Sequence, residues 1–171
     1  MEFKEVLQKR HSVRAYSNQS VPDDKLSRIL EAGRLAPTAS NRQNFKLIVV
    51  KDPGTRKALM EAAGNQAHVG QAPVIIAAVS LDPNRIMPCN VPTYAVDLGI
   101  VIEHMVLAAA NEGLGTCWIG AFSQDKARKA LGVPDKYRVV TVLPVGYEAK
   151  EGTLRAKKPL GELVCYESFK E

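Results

Sequence analysis

Pro73-Val74-Ile75-Ile76-Ala77-Ala78-Val79-Ser80-Leu81 is apolar at all but one position. An unbroken apolar run of this length reads as a central strand. Upstream, Phe45-Lys46-Leu47-Ile48-Val49-Val50 is a second, β-branched strand, broken by Asp52-Pro53-Gly54. Downstream, Thr116–Phe122 reads as a strand or strand-loop, with Trp118 and Cys117 as core residues, and Tyr137–Val145 as a last strand. Helices fill the gaps. Phe3, Val6, Leu7 and Arg10 fall at helical spacing, and a second helix follows Pro22. Asp23 and Asp24 favour its start; Leu26, Ile29, Leu30 and Gly33 form its buried stripe, and it stops before Pro37. Thr55–Ala63, Thr93–Glu112 and Gln124–Leu131 complete the set, the last closed by Gly132 and Pro134. Four strands mixed with five helices predict one α+β or α/β domain over residues 1–171.

The helix expected over Thr93–Glu112 is apolar nearly all round. Asp97, Glu103 and His104 speak against a membrane span, and a domain this small rarely encloses a helix completely, so a dimer interface is expected. Gly113 and Gly115 follow it, in the place of a glycine C-cap. Beyond Gly146 the chain has too little apolar pattern for a layer of its own and is expected to be an extended tail wrapping the domain or a partner subunit.

Cations cluster at both ends: Lys9-Arg10-His11-Ser12-Val13-Arg14 and Arg155-Ala156-Lys157-Lys158. If the two clusters meet, guanidinium and ammonium groups make an anion site of phosphate size; if not, they are solvated surface. A net charge of +5 suits an anionic ligand without demanding nucleic acid, and 6% aromatic residues leave few stacking platforms. Cys89, Cys117 and Cys165 are odd in number and far apart, which argues for a reducing, cytoplasmic setting and against a zinc site. No charge-neutral apolar leader is visible in Met1–Arg14.

There is no G-x-S-x-G, P-loop, G-x-G-x-x-G or H-E-x-x-H, and His11, His68 and His104 are scattered. Hard chemistry would therefore come from a bound cofactor, and one bearing phosphate would explain the basic ends.

Five segments in order resemble the nitroreductase family of FMN-dependent NAD(P)H oxidoreductases. Arg10-His11-Ser12-Val13-Arg14-Ala15-Tyr16 is similar to its R-R-S-x-R-x-F opening, and Ala36–Phe45 to its A-P-S-x-x-N-x-Q-P-W segment. Gly113–Phe122 resembles G-L-G-x-x-W-I-x-x-F, Leu143–Tyr147 resembles P-x-G-Y, and Arg155–Leu160 resembles R-x-R-K-P-L. The sequence departs from these at His11, Asn44, Lys157 and Gly120, where the family often has arginine, proline, arginine and glutamate. The chain is also shorter than larger members around Asp82–Pro92, a region that helps to cover the active site in relatives.

The resemblance implies an α+β fold with a central mixed sheet flanked by helices, in a homodimer. It implies bound FMN, with NAD(P)H as co-substrate. Arg10, Ser12, Arg155 and Lys157 would hold the phosphate, Arg14 would lie by the N1–C2=O edge of the flavin, and His11 and Ile119 would be further cofactor contacts. Pro37, Thr38, Ser40, Asn41 and Gln43 would reach the flavin of the other subunit. Backbone groups of Gly120 and Ala121 would approach N5, and Gln66 a ribityl or ring-edge atom. Two electrons would pass from NAD(P)H through N5 to a nitroaromatic, quinone or flavin in ping-pong order, with no protein acid or base required and no metal. The alternatives are a non-catalytic FMN sensor or carrier, or a same-fold flavin enzyme running dehalogenation or flavin fragmentation. No nucleic acid or membrane partner is expected.

Overall fold

The computed structural model of the chain describes residues 1–150, 152 and 154–170. The elements run α1 (Phe3–Lys9), α2 (Asp23–Arg34), β1 (Phe45–Val50), α3 (Pro53–Ala62), α4 (Ala67–Gln71), β2 (Val74–Ser80), α5 (Thr93–Asn111), β3 (Gly115–Thr116), α6 (Gln124–Leu131) and β4 (Arg138–Gly146). Single 3₁₀ turns lie at Ala39–Asn41 and Leu160–Glu162.

Every residue of β2 is buried, as its apolar run requires. Side chains alternate across a strand, so β2 feeds two cores. Val74, Ile76 and Ala78 pack with Ile29 of α2 and with Leu98, Ile102 and Met105 of α5. Ile75, Ala77 and Val79 pack with Leu59 of α3, Val69 of α4 and Ala127 of α6. The sheet is thus the middle of three layers. Gly33 lets α2 lie close on α5: a Cβ there would come within 2.8 Å of Met105 Sδ. Asp52 caps α3 by accepting from Thr55 N at 2.7 Å, Ser123 caps α6, and Gly132 closes α6 at φ 64°.

The strand order is β1-β2-β4-β3. All three ladders are antiparallel, which corrects the expected mixed sheet; among the described residues the parallel pairing is one bridge, Ser12 to Thr116. The strand expected over Thr116–Phe122 shrinks to Gly115–Thr116 plus a bridge from Ile119 to Val142, because the chain then turns outward at Gly120. Trp118, expected in the core, is 42% exposed, whereas Cys117 beside it is buried. The five-residue α4 has no counterpart in the sequence reading; it is too short to show a helical period.

Helix α5 is long and apolar enough to cross a membrane, but Leu98, Val101, Ile102, Met105 and Ala109 pack it into the core. It is not enclosed: Val96 is exposed, and Gly99, Ile100 and Leu107 are half-buried. Gly113 takes the positive φ (75°) of the helix stop, while Gly115 serves close packing instead.

A Cβ on Gly115 would lie 2.5 Å from Val13 Cγ2 and 2.9 Å from Val13 Cβ. Gly115→Ala is therefore expected to destabilise the protein by about 1–3 kcal/mol through overpacking. Val13→Ala in the same chain should return part of that loss. Urea unfolding of both single variants and the double variant measures the coupling.

Candidate functional site

Residues 12–17 have no helix or ladder of their own, but backbone hydrogen bonds tie them to β3 and to the start of the tail. Val13 N donates to Thr116 O at 2.9 Å, Ser17 N to Tyr147 O at 2.9 Å, and Ala149 N to Ala15 O at 3.0 Å. Buried Val13 and Tyr16 anchor the segment, and the Tyr16 hydroxyl donates to Pro144 O at 3.3 Å. Burial pushes the Tyr16 phenol well above its usual range, so it stays protonated. The segment is held between β3 and the first residues of the tail.

That placement joins the two ends of the sequence. Arg10, His11, Ser12, Arg14, Leu154, Arg155 and Lys157 line one open cleft of about 520 Å³, including the solvent at its mouth. Arg10 sits there because it is the C-cap of α1, its N–H bonded to Val6 O. Among the described residues, none of Arg10, Arg14, Arg155 and Lys157 has a carboxylate within 4.0 Å. Four uncompensated cations with the Ser12 hydroxyl among them form a donor set for a phosphate dianion.

His11 braces this cleft. Its Nδ1 lies 2.9 Å from Lys9 O and its Nε2 3.0 Å from Glu148 Oε1. Both neighbours accept only, so both ring nitrogens are donors and the ring is an imidazolium when both bonds are made. The Glu148 hydrogen bond raises the His11 pKa most, then the Lys9 carbonyl; partial burial and the Arg10 charge oppose them.

The 37–44 loop is a separate feature, and none of its residues lines the cationic cleft. Ser40, Asn41 and Gln43 all adopt positive φ, between 51° and 54°. Such backbone is uncommon outside glycine and costs on the order of 1–3 kcal/mol per residue. It is held by Asp97 of α5, which accepts from Ala39 N at 2.9 Å, and by Thr38, which accepts from Gln43 N at 3.1 Å. Gln43 Nε2 also donates to Asn41 Oδ1 at 3.2 Å. Ser40, Asn41 and Gln43 are exposed. Pro37 is exposed and Thr38 half-buried at the base of the same loop.

The other expected positions also gather. Gln66 Nε2 donates to Ala63 O at 2.9 Å and to Ala121 O at 3.4 Å, so it joins the turn at Gly120-Ala121. Among the described residues the N–H groups of Gly120 and Ala121 have no protein acceptor, and a Cβ on Gly120 would meet nothing closer than Trp118 Nε1 at 3.9 Å. Ile119 is different: it is buried, its N–H donates to Val142 O, and its carbonyl accepts from Val142 N and Thr141 Oγ1. Its backbone groups are thus committed to β4.

Sequence reasoning missed His68 and Glu148. His68 Nε2 is enclosed without a hydrogen-bond partner, and burial, then the nearby Arg14 charge, hold the ring below its usual pKa and so neutral. Arg14 lies near both His68 and Cys117, linking the cleft to the 117–121 turn; burial raises the Cys117 thiol. Neither residue stood out because a lone histidine and a lone glutamate carry no spacing signal.

With this geometry, the comparison with known proteins is consistent. The nitroreductase family profile matches residues 7–74 and 60–147. A relative named NADH dehydrogenase from Thermus thermophilus is 29% identical, covering 97% of this chain and 96% of its own. An FMN reductase [NAD(P)H] from Bacillus subtilis is 29% identical over 90% of this chain and 67% of its own. A solved nitroreductase family protein from Clostridium difficile superposes with a TM-score of 0.87 and 32% identity, over 99% of this chain and 100% of that one. The chain belongs to the nitroreductase family.

Because His11 has a raised pKa, the stability it contributes is fully present below its unfolded value near 6.5 and is lost as pH rises through the higher folded value. Chemical unfolding between pH 5.5 and 8.5 should show stability falling across that window. Glu148→Gln should bring the His11 titration, read from its ring-proton NMR signal, back toward 6.5 and flatten the curve.

Proposed function

We infer that the chain is an NAD(P)H-dependent flavin oxidoreductase, with FMN as the resident group and residues 1–171 as one FMN-binding domain. The observation that carries this reading is the meeting of the 10–14 and 155–157 clusters in one cleft. Two further features fit a flavin: the enclosed, unpartnered Nε2 of His68 beside Arg14, and the free N–H groups at the open Gly120-Ala121 turn.

When bound, FMN supplies two-electron transfer from NAD(P)H to an acceptor: a nitroaromatic, a quinone or free flavin, in ping-pong order. The protein's part is binding and electrostatics. Arg10, Ser12 and Arg155 hold the phosphate by directed hydrogen bonds, and Lys157 adds charge without a fork. His11, held by Glu148, contributes charge that fades above neutral pH. Arg14 offers its fixed charge to the N1–C2=O edge and favours electron uptake there. Gln66 steadies the 120–121 turn, whose N–H groups are donors for N5. Protons come from water.

The active unit we propose is a cytoplasmic homodimer. The open stripe of α5 and the exposed tail residues Leu160, Tyr166 and Phe169, each over 70% exposed, are apolar surface that a second copy would cover. The strained loop Pro37, Thr38, Ser40, Asn41 and Gln43 would then face the partner's flavin. Three unpaired cysteines, two of them exposed, suit a reducing compartment.

Arg10→Ala should weaken FMN binding by about 1.5–3 kcal/mol, the range for a charged hydrogen bond; quenching of flavin fluorescence measures it. Arg14→Ala should retain some FMN but slow its reduction by NAD(P)H in stopped-flow absorbance. For the shared site, a subunit carrying Arg10→Ala is refolded with one carrying Asn41→Ala and Gln43→Ala. Half of the sites in the mixed dimer should then bind FMN normally. An active monomer in sedimentation would sink the shared-site model.

A further inference from the structure

The tail is anchored at its start but carries its cations further on. Ser17 N donates to Tyr147 O, and Ala149 N to Ala15 O. Beyond Ala149, among the described residues, no backbone hydrogen bond joins residues 150–158 to the rest of the chain. Arg155 and Lys157 nevertheless line one cleft with Arg10 and Ser12. The contact between anchor and cations is the pair His11 and Glu148, with Nε2 and Oε1 3.0 Å apart and both side chains mostly enclosed. Gly152 lies directly against this pair: a Cβ there would come within 2.6 Å of His11 Nε2 and 2.8 Å of Glu148 Oε1.

His11 has no ring nitrogen left for a ligand. Nδ1 is taken by Lys9 O at 2.9 Å and Nε2 by Glu148. Both neighbours only accept, so the two bonds coexist only in the imidazolium. The neutral ring has a single N–H and must give up one of them. The ring lines both the cationic cleft and a recess between α1 and the end of α5. The cations around these two spaces are Lys9, Arg10, Arg14, Arg155 and Lys157, with Met1, whose amine donates to Asn111 Oδ1 at 2.9 Å. Among the described residues Glu148 is the one carboxylate lining either space. When the proton leaves His11, the cleft loses a cation and Glu148 loses its counter-charge.

We propose that His11 is a proton-operated latch on the tail: its imidazolium, bonded to Lys9 O and Glu148, seats Gly152 and so sets Arg155 and Lys157 opposite Arg10, and loss of that proton releases the tail and weakens the hold on a phosphate monoester. His11 is thus a positioning residue that acts through the tail, without a bond to the ligand. That the monoester is FMN rests on the functional reading above. The Glu148 hydrogen bond, foremost, holds the ring above its ordinary pKa, and a bound dianion raises it again. Affinity is therefore full below the value of the free protein and falls as pH rises through the value of the complex. The second ionisation of the phosphate, at about pH 6, acts in the opposite sense, because it adds negative charge as pH rises.

The first test is FMN binding, read by quenching of flavin fluorescence from about pH 6.5 to 9. The parent should weaken about tenfold across this range, the change that one unit of pKa difference produces. His11→Gln and Glu148→Gln should bind more weakly than the parent at the lower pH and give nearly flat profiles, with unchanged circular dichroism as the control for folding. A flat profile in the parent overturns the latch, and so does the same decline in His11→Gln, where the Met1 amine still titrates. The second test needs no flavin. Trypsin cleavage after Arg155 and Lys157, followed by mass spectrometry, is compared between parent and Glu148→Gln at each pH. The parent should be cut several-fold more slowly at the lower pH, and the two should converge at the higher. If FMN binding follows pH as expected but cleavage is equal throughout, His11 acts by charge alone and the positioning role falls. A protein that binds no FMN at any pH would defeat the functional reading instead, and the digestion would still decide the latch.

Discussion

The backbone pairing of Ser12-Val13 with Gly115-Thr116 is the constraint on which the functional surface depends. β4 has β2 on one side and only the two-residue β3 on the other, so the far edge of the sheet is short and open. The N-terminal segment completes it, and Val13 enters the space left by the missing Cβ of Gly115. One side of that segment is then buried, and Ser12 and Arg14, on either side of Val13, are turned to solvent. The tail leaves β4 beside it and is tied back through Ala15 and Ser17. Two cationic clusters that would repel each other in a free chain are held together by apolar packing and backbone hydrogen bonds. An anion bound between them would relieve that repulsion.

A different economy governs the 37–44 loop. Three left-handed residues without glycine are unfavourable, and they persist because Asp97 and Thr38 over-determine the backbone. Asp97 belongs to α5, the helix most deeply set in the first core. The loop is thus rigid through its attachment to that core, although its own side chains are exposed.

Helix α5 was legible as apolar on all sides, and the structure explains the pattern by two different surfaces. One face is core, with Leu98, Ile102 and Met105 at helical spacing; the other, through Val96, Ile100 and Leu107, is left partly open. A composition argument sees both faces as equivalent. Only the position of the sheet decides which is satisfied within the chain.

The sequence by itself determined the strands of the core, five of the helices, the basic ends and the order of the family segments. These are signals of local period and of residue type, and they survive without coordinates. Tertiary structure alone decided that the ends meet, since the 140 residues between the clusters (15–154) carry no record of distance. It also decided that the sheet is antiparallel, that Trp118 faces outward at a turn, and that Ile119 spends its backbone on β4. Glu148 at His11 and His68 beside Arg14 were equally out of reach. Each is a pairing or an enclosure made by neighbours distant in the chain, and the polar atoms concerned gain their meaning from what surrounds them in space.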